Sequence, residues 1–113
     1  MDKKLLKALN DQIKEELESA YIYLAIGADF EAKGSDGFAS WMKAQAAEEF
    51  GHALKFYNFI NDRREKVVLQ PIQAPQGSWD SALAAFEAAF AHEQYITKKI
   101  ADLYALATEV NDT

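Results

Sequence analysis

Both prolines of this chain, Pro71 and Pro75, fall between about Arg64 and Ser78, and the sequence on either side of that stretch repeats with helical period. Proline removes a backbone donor and breaks a helix interior, so confining it to one segment leaves long flanking runs free to be helices. From about Leu5 to Lys33 an apolar stripe passes through Leu6, Leu9, Ile13, Leu17, Ala20, Leu24 and Gly27. The run Gly34-Ser35-Asp36-Gly37 interrupts it, with Ser35 or Asp36 available to cap a second helix. That helix extends to roughly Arg63 and aligns Phe38, Met42, Gln45, Ala53, Phe56 and Ile60. A third is expected to open near Ser78 or Trp79 and to reach about Val110, aligning Ala82, Phe86, Ala89, Ile96, Ile100, Tyr104 and Ala107.

The two connections differ in kind. The first is a tight turn, which makes the first two helices antiparallel neighbours. The second is long enough to span up to ~50 Å when extended, whereas a helix of ~27 residues is about 40 Å long. It can therefore run the length of a bundle and let the third helix lie parallel to the second. A loop of this length inside a compact domain needs a purpose, and a crossover is one.

With 113 residues the chain forms one domain at most. Ala, Leu, Lys and Glu dominate and glycine is scarce, which favours an all-α fold. A formal net charge of −6 argues against nucleic acid and anionic membranes as partners and is compatible with handling cations. The absence of cysteine excludes disulfides, thiolate metal sites and a thiol nucleophile. Charges scattered through Met1-Asp2-Lys3-Lys4-Leu5-Leu6 read as a helix start and not a signal peptide. No apolar run approaches the ~20 residues that would span a bilayer. The expected setting is the cytoplasm.

Three glutamates stand where a leucine would fit: Glu16, Glu49 and Glu93. With Glu49 at zero on a helical wheel, Met42 and Phe56 lie about 20° to either side, Ala53 about 40° and His52 about 60° away. Phe86 and Ile100 flank Glu93 in the same way, while Glu16 lies on the flank of its stripe between Ile13 and Ala20. A lone glutamate of this kind usually snorkels to water. Three near the middle of their helices reach one height in a bundle, and buried carboxylates without a counter-charge are costly. His52, three residues after Glu49, shares the face needed to ligate the same ion. A Glu-x-x-His pair with glutamates from other helices is the ligand pattern of di-iron carboxylate bundles. Oxygen and imidazole donors suit iron or manganese and tolerate zinc. Tyr23, two turns beyond Glu16, is placed to hydrogen-bond a site carboxylate or to pack in the core. His92 reads as surface or flank, and Glu48 as solvated charge or an auxiliary cation site. Trp41, Phe56, Tyr57 and Phe59 read as packing and interface material.

At these residues the chain resembles the prokaryotic non-haem ferritins over essentially its whole length. The matching stretches are Leu9-Asn10-Asp11-Gln12-Ile13 leading to Glu16 and Tyr23, Gly37-Phe38-Ala39 with Trp41-Met42, Ala47-Glu48-Glu49 with His52-Ala53, and His92-Glu93-Gln94 with Ile96-Thr97. The resemblance implies an all-α ferritin-like bundle that oxidises Fe(II) with O₂ or peroxide at a di-iron centre and stores ferric mineral in a homo-oligomeric shell of 24 subunits. By motif, Glu16, Glu49 and His52 would hold the first iron. Glu49 would bridge to the second, which Glu93 also ligates. Tyr23 would be the centre's hydrogen-bonding tyrosine, and Glu48 would lie toward a third iron on the outer side. The family has a fourth long helix that supplies further ligands, so residues 1–113 read as a single domain truncated at its C-terminal side. Two rival expectations stand beside this one. One is a small ferritin-like di-metal oxidase that completes its site at a subunit interface without a storage shell. The other is a purely structural bundle in which the glutamates are incidental.

Overall fold

A computed structural model describes residues 1–112 as three helices joined by one turn and one long crossover. The helices are α1 (Lys3–Ala32), α2 (Asp36–Asp62) and α3 (Ala82–Glu109). Asp2 caps α1 by accepting the Leu5 amide at 3.0 Å, and Ser81 caps α3 by accepting the Ala84 amide at 3.0 Å. The third helix thus begins at Ala82 and not at Ser78 or Trp79. A serine oxygen at Ser81 satisfies one of the orphan N–H groups of the first turn, and Trp79 turns inward to be buried against the end of the bundle. Ser35 occupies the cap position of α2, but its side chain makes no capping bond.

All three helices end in one way. The residue after the cap is left-handed, and the two following amides reach back to the last turn. In α1 the Gly34 and Ser35 amides donate to the carbonyls of Glu31 and Phe30 at 3.1 and 2.8 Å, with Gly34 at φ 78°. Arg64 and Asn111 take this position after α2 and α3, at φ 59° and 58°. Only at the first of these ends is the left-handed residue a glycine, which carries no Cβ penalty there.

Burial gives the direction of each helix. Leu5, Leu9 and Ile13 of α1 pack with Ala53 and Ile60 late in α2 and with Leu103 late in α3. Tyr23, Ile26 and Phe30 pack instead with Ala39, Met42 and Ala46 early in α2 and with Trp79, Ala85 and Ala89 at the start of α3. Both later helices therefore run antiparallel to α1 and parallel to each other, as the length of the crossover requires. The molecule measures 48 × 21 × 21 Å, close to the length of α1 itself.

The crossover climbs α1 through polar side chains. Asn10 is buried and grips both of its backbone groups: Nδ2 donates to the Lys66 carbonyl at 3.3 Å, and Oδ1 accepts the Val68 amide at 2.8 Å. Further along, Gln70 Nε2 donates to Asp11 Oδ1 at 2.7 Å, the Gln73 amide to Glu18 Oε2 at 3.2 Å, and the Trp79 amide to Asp29 Oδ2 at 3.1 Å. Asn10→Ala is expected to cost ~1–2 kcal/mol, since both hydrogen bonds to the crossover go but the exposed loop can turn to water. A lower denaturation midpoint, with faster hydrogen exchange at the Val68 amide than in the wild type, is the signature; unchanged exchange there would rule the clip out.

α1 packs against both other helices, whereas α2 and α3 stand further apart and meet through side chains, at their two ends and at Glu49 and Glu93 midway. At one end Phe86 meets Phe38 and Trp41, with ring centres 5.2 and 5.7 Å apart. At the other, Arg63 forms a two-pronged pair with Asp112 at 2.7 and 2.9 Å. Between them lies an open groove of about 620 Å³ lined by Phe56, Phe59, Ile100, Leu103 and Tyr104, with Glu16 and His52 at its floor. No helix among the described residues is long and apolar enough to cross a membrane.

Candidate metal centre

Between the two apolar clusters, α1 carries a polar ridge. Gln12, Glu16, Ser19 and Tyr23 succeed one another at helical spacing, and none is more than 3% exposed. Residues of this kind are seldom buried without partners, and each here meets a polar group. Gln12 Nε2 donates to Glu16 Oε1 at 3.2 Å. Ser19 Oγ lies 2.5 Å from His92 Nε2 on α3. The Tyr23 hydroxyl donates to Glu93 Oε1, also on α3.

The row exceeds what the apolar stripe of α1 suggested. Glu16 was expected on the flank but is fully buried, and Leu24, expected inside, is 48% exposed. The reason is that α1 has neighbours on three sides: α2, α3 and the crossover. Its buried arc is therefore wider than its hydrophobic stripe, and it is centred on Glu16 and Tyr23. Tyr104, also expected inside, is 72% exposed for the opposite reason, because it faces the open groove.

From α2, Glu49 and His52 enter the same layer. His52 Nδ1 stands 3.8 Å from Glu16 Oε2 and 3.4 Å from Glu49 Oε2. Those two carboxylate oxygens are buried and have no hydrogen-bond partner. The ligand atoms of Glu16, Glu49 and His52 all lie within 4.8 Å of one another, and this is the one group of its kind among the described residues. Donor atoms of a single divalent ion bound at ~2.1 Å stand about 3–4 Å apart, so the spacing fits one ion. Two orphaned carboxylate oxygens facing one imidazole nitrogen are an arrangement that a cation resolves.

The electrostatics agree. Burial, and next the carboxylates of Glu16 and Glu93, push Glu49 up to about 9. Without a metal, a proton therefore takes the place of the ion on Glu49 at neutral pH. Tyr23 is raised well beyond the ordinary phenol range by burial and then by its bond to Glu93, so it remains a hydrogen-bond donor.

Of the residues singled out in the sequence, Glu16, Glu49 and His52 converge. Glu93 adjoins Glu49 and is held by Tyr23, and it reaches the site although α3 starts later than expected. Glu48 is exposed and is not brought into the group. His92, read as surface or flank, is half-buried against Ser19, where burial lowers its affinity for a proton. Two participants were missed, Gln12 and Ser19. Their signal was present: each is a polar residue one turn from Glu16 on the inward side of α1.

The fold and this layer define a helical bundle with a buried carboxylate–imidazole cluster at its centre. A family model described as a ferritin-like domain matches residues 6–113. The bacterial non-heme ferritin of Staphylococcus epidermidis is 38% identical over 112 residues, covering 99% of this chain and 68% of that protein. That of Staphylococcus aureus strain USA300 is 35% identical over the same length and coverage. Among solved structures, an open pore ferritin from the hyperthermophilic archaeon Archaeoglobus fulgidus superposes with a TM-score of 0.97 at 40% identity, over 99% of this chain and 69% of that one. The chain belongs to the ferritin family and, within it, to the prokaryotic non-haem ferritins.

Proposed function

We propose that the protein oxidises Fe(II) to Fe(III) at this layer and takes part in iron storage, with O₂ or peroxide as the electron acceptor. The observation that carries the reading is the pair of buried, unpartnered oxygens, Glu16 Oε2 and Glu49 Oε2, facing His52. In this reading Glu16, Glu49 and His52 hold the first iron, and Glu49 extends to a second that Glu93 also ligates. Tyr23 keeps Glu93 in register through its hydroxyl. Glu48, on the exposed side of α2, is at most an outer cation ligand. Hard carboxylate donors bind Fe(III) more strongly than Fe(II), which favours loss of the electron; zinc or manganese would occupy the same donors without that outcome. The work of the protein is to position the two ions and to balance their charge.

The open groove bears on the second iron. Three carboxylates and one imidazole are few donors for two ions, and the apolar wall from Phe56 to Tyr104 asks for a further helix. Residues 1–113 span about two thirds of the length of the relatives they match. The cell compartment that fits such a protein is the cytoplasm. The groove also keeps a second reading in play, in which a neighbouring subunit supplies the wall and the assembly is a small di-metal oxidase without a shell.

Aerobic mixing with Fe(II), followed by absorbance of the ferric product, tests the chemistry. The wild type is expected to oxidise iron at least tenfold faster than Glu16→Ala, because removing one ligand of a metal site costs at least as much as removing a supporting residue, ~10–100-fold. Equal rates would end the ferroxidase reading. Light scattering of the iron-loaded protein then separates a 24-subunit shell from a small oligomer.

A further inference from the structure

Glu16 presents two oxygens to its surroundings, and the structure treats them differently. Oε1 accepts a hydrogen bond from Gln12 Nε2 at 3.2 Å, whereas Oε2 has no partner and faces His52 Nδ1 at 3.8 Å. We infer that Gln12 is a positioning residue, which holds Oε1 and so presents Oε2 as the single ligand atom that Glu16 offers to a divalent ion. The inference deepens the proposed function and rests on its assignment of Glu16 as a ligand.

The choice of residue supports this. Gln12 is 3% exposed on the inward face of α1, next to Ile13 and one turn before Glu16. A leucine there would serve packing equally well and would bury no amide, so packing does not explain a glutamine. A lysine would reach Glu16 but would bring a positive charge, which removes the need for a metal and repels it. A glutamine supplies an N–H donor with no net charge, so the pocket keeps its demand for a cation. The amide stands with its NH₂ toward Glu16, where it donates to Oε1. The bond lies within one helix at i, i+4, so it is set before α2 and α3 are added and does not depend on the ion. Glu49 has no equivalent support, since its neighbours in the layer are His52, itself one of the candidate ligands, and the carboxylates of Glu16 and Glu93. The pocket therefore joins one carboxylate of fixed orientation to one that is free to change how it binds. Partners of this kind orient metal ligands, and their loss typically weakens metal binding ~10–100-fold.

The test is titration of the full chain with Co(II), read by calorimetry and by the visible absorption of the bound ion, for the wild type, Gln12→Leu and Gln12→Met. Both variants are apolar helix formers of similar volume, and the flexible methionine stands in if leucine does not fold. We expect Co(II) affinity to fall ~10–100-fold, with an altered absorption band, while the melting temperature without metal stays level or rises. Wild-type affinity and spectrum in either folded variant would overturn the role assigned to Gln12. Failure of the underlying reading looks different: in that case the wild type binds no Co(II), or Glu16→Ala binds it as well as the wild type does.

Discussion

Glu49→Gln is expected to raise the melting temperature of the metal-free protein while abolishing its ability to hold a divalent ion. The carboxyl of Glu49 is 4% exposed and is pushed up to about 9, chiefly by burial and then by Glu16 and Glu93. In the unfolded chain it ionises freely near the ordinary glutamate value, so at neutral pH folding must take up a proton. Each pH unit of that mismatch is worth ~1.4 kcal/mol at most. Coupling to Glu16 and relaxation of the site reduce the sum, and a gain of ~1–3 kcal/mol on replacement is the reasonable scale. For a domain of this size that is several degrees in melting temperature. A glutamine also carries an NH₂ group able to donate to the orphaned Glu16 Oε2. Metal binding should respond in the opposite direction. An amide oxygen brings no charge, and Fe(II) oxidation should slow by ~100-fold or more, beyond the effect of losing a supporting residue. Thermal melts in chelator and Co(II) calorimetry check the two halves separately. A variant that melts lower than the wild type would refute the strain on Glu49, and one that still binds Co(II) tightly would refute its place as a ligand.

The same group makes stability depend on pH in a direction unusual for a carboxylate. Between the ordinary glutamate value and about 9, folded Glu49 keeps its proton and the unfolded chain has lost it. The folded state then binds more protons, so raising the pH favours unfolding. The surface pairs work in another window. Asp11 is held low against burial by Lys7 and Gln70, Asp29 by Lys33, and Asp112 by Arg63, so their contributions fade only in acid. His92, whose burial disfavours its charged form, weakens the fold as pH falls through the ordinary histidine range. The interval from pH 7 to 9 therefore lies clear of these aspartates and of His92. Over it the melting temperature in chelator is expected to drop by roughly 4–12 °C, following from ~1–3 kcal/mol across the two units. With saturating Co(II) the slope should vanish or reverse, because the ion displaces the proton and binds better as pH rises. Calorimetry in two buffers of different ionisation heat should register a proton released on binding. A flat melting curve in chelator over this interval would remove the argument.

Much of this was legible in the residues because helices impose a short-range code. Stripe, breaker and cap residues located three helices to within a few positions, and the length of the crossover announced a parallel third helix. The site was legible for a different reason: a carboxylate in an apolar stripe costs so much that Glu49 and Glu93 stood out against Met42, Phe56, Phe86 and Ile100. What could not be read was the centre of each buried face. Helical periodicity records which residues are apolar and not how many neighbours surround a helix. Thus Glu16 looked peripheral although it is fully buried, while Leu24 looked internal although it is half exposed. The start of α3 was misjudged because Ser78 and Ser81 are equally good caps in isolation, and burial of Trp79 against α1 decides between them.

By itself, then, the sequence determined an all-α chain, the antiparallel first pair, the crossover, and a family of polar residues destined for one level of the bundle. Each of these follows from local backbone chemistry or from the cost of burying charge. Tertiary structure alone decided which oxygens of those residues are satisfied and which are not. Beyond the bond that Gln12 makes to Glu16 within α1, Tyr23 takes Glu93 across the bundle, and His52 is left facing two unpaired carboxylate oxygens. Hydrogen bonding depends on separations of a few tenths of an ångström across three helices, and these are set only when the helices pack.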